Sequence, residues 1–349
     1  DLKVLEKNLI SAVSASAAAN PAAYVIGNVL NDKPDFPYVG FAFSLTITVT
    51  ISAGVNGFFI AGGLYDSASI SVSASPASSG TINLNSSQYS SSDLLLENTR
   101  LLMPPEWVDL TVDGSSITRV DTGSNLASGT ITVTLATSVD RRSGVSGNAI
   151  ASWSRASANT GQFLDSGGDA VNLKDHQNIM IGSIVTRSSA YAVEKIIGDG
   201  TQTTDIVLSG DAATGSITAI QNPIKVGIIR AGTALSVENP SIGLGQGFRN
   251  FSDRVPLANG GYMQTPKNMI KNYSVISTMT DSNAKSFEGF YRSFRSKPFP
   301  ALVTAGMAAG QNEDTQASGF FHFGSPPTFS YLNHSGSVSG VDFNLNELI

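Results

Sequence analysis

Between Phe41 and Ile51 the chain alternates without a break. Phe41, Phe43, Leu45, Ile47, Val49 and Ile51 fall on one side of an extended backbone, with Ser and Thr mostly on the other. A period of two predicts a strand with one buried face. Asn56 to Leu64 predicts a second, more fully buried strand, and Ile70 to Ser73 a third. Shorter runs follow at Thr81 to Leu84, Val108 to Val112, Ile117 to Val120, Thr130 to Leu135, Ile150 to Trp153 and Ile179 to Val185, with Gly, Ser and Asp turns between them. Many short alternating strands at this spacing predict an antiparallel sandwich or jelly roll. Asp1 to Ala19 starts helix-like, with Leu2, Val4, Leu5 and Leu9, and then loses its pattern. Ser154 to Gln177 is polar and reads as a long loop. Glu194 to Ile220 reads as hairpins built on Asp-Gly and Gly-Asp turns. No sequence repeat is evident.

The period changes once, near the C-terminus. Phe287, Phe290, Tyr291 and Phe294 recur at i, i+3, i+4 and i+7, one aromatic stripe on a helix spanning about Asp281–Arg295. Thr280 or Asp281 can cap its first turn. Lys285, Glu288, Arg292 and Arg295 fall off the stripe, and Pro298 and Pro300 stop the helix. Four aromatic rings on one helix need a broad apolar cover, and a sheet made from the flanking strands supplies it. The boundary falls near Gln221-Asn222-Pro223. The expected fold is therefore mainly β. Residues 1–221 form an N-terminal antiparallel sandwich, jelly-roll or discoidin-like, with long loops. Residues 222–349 form a C-terminal sheet domain packed on one amphipathic helix.

Composition narrows the class. Charged residues make up only 14% of 349 residues, against the usual quarter, with Ser, Thr, Gly, Asn and Ala in their place. Such polar but uncharged surfaces suit secreted, cell-surface and virion proteins. The formal charge of -6 argues against a nucleic-acid partner, which needs clustered Lys and Arg. There is no cysteine, so neither disulfides nor thiolate metal sites are available. No apolar run reaches the length of a membrane span, so no membrane insertion is expected.

Candidate chemistry is sparse. His176, His322 and His334 lack metal-pair spacing, and His322, in GFFHFGS, reads as a packed core histidine. Gly243 to Gly247 lacks the lysine and the helix of a phosphate loop and reads as a flexible loop. Glu106, Asp109, Asp211, Glu313 and Asp314 are acids that would need to converge for glycoside hydrolysis. Asp199 to Asp205 could offer oxygens to Ca²⁺, although a hairpin turn explains it equally well. Asn-x-Ser/Thr sequons occur at Asn85, Asn250, Asn272 and Asn333. Trp107 and Trp153 could stack on sugar, with core packing as the competing role. No cofactor, metal or catalytic residue is expected.

Three passages resemble tail-tip or baseplate proteins of tailed bacteriophages. SASAAANPAAYVIGNVLNDKP, with the strand from Phe41 and FFIAGGLY, is similar to their discoidin-like opening module. HQNIMIGSIVTR (176–187) is similar to the strand that closes it. The third passage runs from IIRAG (228–232) through NPSIGLGQGFRNFSDRVPLANGGYMQTPKNM to the helix, KPFPALVTAG and the final VDFNLNELI. The resemblance implies a non-enzymatic virion structural protein that contacts copies of itself and neighbouring tail proteins. It brings no catalytic residues. The alternative is a receptor- or carbohydrate-binding protein acting on a host-surface glycan, and a polysaccharide-degrading tail enzyme comes third.

Overall fold

The computed structural model describes residues 2–19, 22–33, 36–74, 78–84, 105–113, 116–118, 123–137, 140–143, 149–173, 176, 179–198, 204–237, 245–250, 253–256, 262–265, 269–303, 318–331 and 338–348. Strands dominate, and every pairing between named strands is antiparallel. The mainly β expectation is met.

A ten-stranded sheet forms the spine. From one edge its order is Gly245–Asn250, Met269–Thr280, Val338–Glu347, Ser318–Phe323, Phe299–Val303, Leu2–Asn8, Ile228–Val237, Gly57–Ala61 and Glu106–Asp109, with Thr328–Tyr331 also paired to Val338–Glu347. One of its interior strands is the first in the sequence. Leu2 lies opposite Val237 on one side and Val303 on the other. The helix-like start expected for residues 1–19 is therefore wrong: the structure has the strands Leu2–Asn8 and Ile10–Ala15 there. With strands on both flanks, the backbone N–H and C=O groups of this segment find partners only in an extended conformation. That long-range pairing overrides the local pattern.

Strands from both sides of residue 221 share this sheet, and Tyr38–Gly40 pairs with Ile224–Val226. The division expected at 221/222 thus runs through continuous pairing rather than between sheets.

The sandwich is completed by a five-stranded sheet in the order Ile10–Ala15, Ser44–Ile51, Gly129–Ala136, Ser67–Ala74, Ser78–Asn83. The expected alternation is realised in Ser44–Ile51, where Leu45, Ile47, Val49 and Ile51 are buried; Phe41 and Phe43 precede the strand and are half-buried. Ile131, Val133, Leu135, Ile70 and Val72 join them from the neighbouring strands, facing Phe58, Ile60, Ile229 and Ala231 of the long sheet. The N-terminal segment reaches both layers, because Ile10–Ala15 follows Leu2–Asn8 after Leu9 alone. A strand that switches sheets in this way forms a corner of the sandwich.

A seven-stranded sheet lies between these segments in sequence. Its order is Gly215–Ser216, Ser152–Ser157, Thr160–Leu164, Asp205–Leu208, Ala190–Ile197, Ile184–Thr186, Ala219–Gln221. Its two edge strands are separated only by Ile217 and Thr218, so the sheet curls into a small barrel. Trp153, Phe163, Val185, Val193, Ile206, Leu208 and Ile220 fill it. Closure leaves no long free edge. The loop expected over Ser154 to Gln177 is in part a hairpin, with Trp153 opposite Phe163. Its polar outward positions hid the strand pattern.

The helix spans Asp281–Phe294, and the Asn283 N–H donates to Thr280 Oγ1 at the N-cap. Phe287 and Phe290 are buried, with Tyr291 and Phe294 partly buried against the same cluster. Ring centroids lie 4.8 Å apart for Phe287–Phe343, 4.8 Å for Phe290–Phe299 and 5.1 Å for Tyr291–Phe323. The cover is the expected sheet of flanking strands. Pro300 follows within Phe299–Val303, where pairing with Leu2–Asn8 has already stopped at Val4–Ala301. Its missing N–H therefore leaves no gap in that ladder. Phe290→Ala is expected to lower unfolding free energy by about 3–5 kcal/mol through the cavity it leaves. Tyr291→Ala, at the half-exposed rim, is expected to cost less, and urea denaturation of the two variants checks the order.

Candidate functional site

Both tryptophans are interior residues. Trp107 is 2% exposed and packs with Leu5, Phe59, Leu302 and Phe320; its indole N–H donates to Asp109 Oδ1 at 3.0 Å. Asp109 Oδ2 in turn accepts from Lys3 Nζ at 2.7 Å. Trp153 is 0% exposed, donates to the Ala212 carbonyl at 3.0 Å and meets Phe163 edge-on. Neither ring can stack on a sugar, which corrects that expectation. Each has an internal acceptor for its N–H, the condition for burying an indole at low cost.

Among the described residues, Glu106 and Asp109 do not converge. Glu106 and Asp109 end one short strand, and its alternation places them on opposite faces, because Val108 belongs to the sandwich core while Trp107 lies in the other cluster. Glu106 adds its field to burial in pushing the Tyr65 hydroxyl above the usual phenol range. Asp211 is ion-paired with Arg155 at 3.0 Å on the barrel surface. Glu313, Asp314 and His334 lie outside the described residues. Among the described residues no group of three or more His, Asp or Glu side chains could hold a metal ion. In the Asp199 to Asp205 stretch, 199–203 lie outside the described residues, while Asp205 opens a strand and accepts from Gln162. Gly245–Asn250 is a strand, so the flexible loop expected over Gly243 to Gly247 extends no further than its first two residues, which lie outside the described residues. Pairing with Met269–Thr280 imposes the extended form. Among the sequon positions, Asn85 and Asn333 lie outside the described residues, Asn250 ends a strand, and the Asn272 side chain donates to Asn346 Oδ1 at 3.1 Å.

Two buried arginines are structural. Arg230 donates to the carbonyls of Val29, Ile229 and Asn31 and to Asp32 Oδ1, tying the turn Ile26–Leu30 to the long sheet. Arg141 is buried 3.6 Å from Asp66, with its Nε and Nη1 unbonded, and burial lowers its pKa despite that acid.

His322 Nε2 lies 3.4 Å from Asn346 Nδ2 and its Nδ1 is buried without a partner. His176 is also buried, with its backbone engaged at Leu173 and Ile179.

One uniform surface among the described residues escaped the sequence reading. Thr46, Thr48 and Thr50 lie opposite Thr134, Thr132 and Thr130, which lie opposite Ser69, Ser71 and Ser73. Hydroxyls therefore repeat about 4.8 Å across strands and about 7 Å along them. Ser71, Ser73, Thr81 and Thr132 border an open, shallow hollow of about 360 Å³. The signal was TITVT at 46–50, repeated at 130–134, with SISVS at 69–73. The rows hold only Thr and Ser, so what they present is hydroxyl donors and acceptors.

No protein-family model, curated protein or solved structure matches the chain. Among the described residues no helix is long and apolar enough to cross a membrane.

Two measurements check these placements. Native tryptophan emission is expected at short wavelength, shielded from acrylamide and unchanged by oligosaccharides, with a red shift only on unfolding. Sugar-dependent quenching would contradict the burial. Burial also lowers the His322 pKa, so the folded ring stays neutral where the unfolded ring, near 6.5, takes up a proton. Stability is therefore expected to fall as pH drops below about 6.5. His322→Gln should flatten that slope, as read from melting temperatures between about pH 7.5 and 5.5.

Proposed function

We propose that this chain is a non-enzymatic structural protein of a tailed-phage virion, placed at the tail tip or baseplate and working through contacts with its own copies and with neighbouring tail proteins. The observation that carries the reading is the ordered resemblance of three passages, from residues 14–65, 176–187 and 228–349, to such proteins. The physical character of the surface supports it. A hydroxyl-covered sheet face and a disulfide-free chain with 14% charged residues suit docking between subunits that bury each other's polar, uncharged surfaces. Acids hold elements together: the buried Asp109 with Lys3 and Trp107, the exposed Asp32 with the buried Arg230. The alternative as a sugar-binding adhesin loses its two stacking candidates to the cores.

Immuno-gold or tag labelling of purified particles tests the reading. Label at the distal end of the tail, retained through washing, is expected. A chain absent from washed particles would remove the proposal.

A further inference from the structure

Lys3 with Asp109 differs in chemistry from the other ion pairs described above. Lys3 Nζ lies 2.7 Å from Asp109 Oδ2, and the two side chains are only 12% and 11% exposed. Arginine supplies the cation of the pairs at Asp32, Asp66, Asp140, Asp211 and Glu288, and a guanidinium keeps its proton in a protein. A lysine amine becomes a nucleophile once it gives up a proton, and an apolar site favours that loss.

The surroundings of the pair are apolar. Lys3 lies opposite Leu302, on the sheet face that carries the buried cluster of Leu5, Phe59, Trp107, Leu302 and Phe320. Gly57 stands opposite Asp109, and a Cβ there would meet Leu5 Cδ1 and Trp107 Cζ2 at 3.1 Å each, so these two side chains close over the strand between. The Trp107 N–H donates to Asp109 Oδ1 at 3.0 Å. One carboxylate oxygen is thus held by a ring N–H and the other by the amine. Two whole strands, Ile228–Val237 and Gly57–Ala61, lie between the strand of Lys3 and that of Asp109.

We propose that Lys3 and Asp109 condense into an intramolecular amide, Nζ to Cγ, which ties Leu2–Asn8 to Glu106–Asp109. An ammonium and a carboxylate together contain every atom of that amide and of one water. A first proton passes from Nζ to Oδ2, and the freed amine lone pair adds to Cγ. Negative charge then develops on Oδ1, where the Trp107 N–H already points. A second proton passes from the nitrogen to Oδ2, the Cγ–Oδ2 bond breaks and water leaves. Of the three ammonium hydrogens one remains as the amide N–H and two depart in the water, so no oxidant, metal or further reactant is needed. Fixed neighbours react with effective molarities of up to about 10⁵–10⁸ M. Replacing two buried ions by a neutral amide also removes their desolvation cost, a gain that a pair in water does not have. The bond would fasten the strand on which the long sheet closes, in a chain with no cysteine to do so.

Mass spectrometry of the full chain tests it. Soluble wild type, incubated for days at physiological temperature and then denatured, is expected to weigh one water less than its sequence. Its protease digest should contain a branched peptide joining the residues around Lys3 to those around Asp109. Lys3→Arg keeps a cation beside Asp109 but cannot acylate, so it should show the full mass and only linear peptides; Asp109→Ala should do the same. Circular dichroism confirms that Lys3→Arg folds, and the wild-type mass decides the matter even if neither variant does. The proposal is overturned if wild type keeps its full mass, if the water loss persists in Lys3→Arg, or if the branch maps to any other pair of residues.

Discussion

The structure depends on one insertion: Leu2–Asn8 fills the slot between Ile228–Val237 and Phe299–Val303. Without it the ten-stranded sheet would be two sheets, one bearing the helix and one backing the sandwich. Leu2 and Val4 reach the aromatic cluster under the helix, Leu5 reaches Trp107 and Phe320 on the opposite face, and Lys3 reaches Asp109 at the far strand. Almost all of these partners lie more than a hundred residues away in sequence. Closing such loops costs chain entropy before any contact repays it. The long-range pairing is favourable only because both flanks and both faces of the strand are satisfied together.

That constraint explains what was legible. Phe287, Phe290, Tyr291 and Phe294 carry a period of 3.6 that only a helix buries, and Leu45 to Ile51 carry a period of two that only a one-faced strand buries. Those elements could be read locally and appear where expected. Leu2, Val4, Leu5 and Leu9 suit a helix or a strand buried on both faces, and the deciding term is the pairing with residues 228–237 and 299–303, which no local pattern encodes. The barrel hairpin was hidden for a related reason. Arg155, Ala156 and Ser157 face solvent, so only Trp153 and Phe163 advertise its core.

The candidate residues were harder to place from sequence than the fold elements. The histidine and acid spacings held no motif, and the fold sets Glu106 and Asp109 on opposite faces. Trp107 and Trp153 drew attention because tryptophan is rare here, yet rarity says nothing about exposure. Each ring has an internal acceptor, and that acceptor comes from geometry: Ala212 O lies 59 residues from Trp153. The hydroxyl rows are the converse case. Their strands read clearly one at a time, but the lattice exists only because Thr48, Thr132 and Ser71 fall in register, and register is a property of pairs.

The same distribution of polar groups bears on what kind of protein this is. A chain with no disulfide and few charges must hold its modules chiefly by burial and pairing. Among the described residues, four separate apolar clusters and one interleaving strand do so here. Charge is used inside the molecule, as single clamps such as Arg230 on the Ile26–Leu30 turn and Lys3 on Asp109. Outside, hydroxyls cover the sheet face. A surface of this kind repels neither water nor another copy of itself. Hydroxyls can exchange water for a partner's hydrogen bonds without the desolvation cost that ions carry.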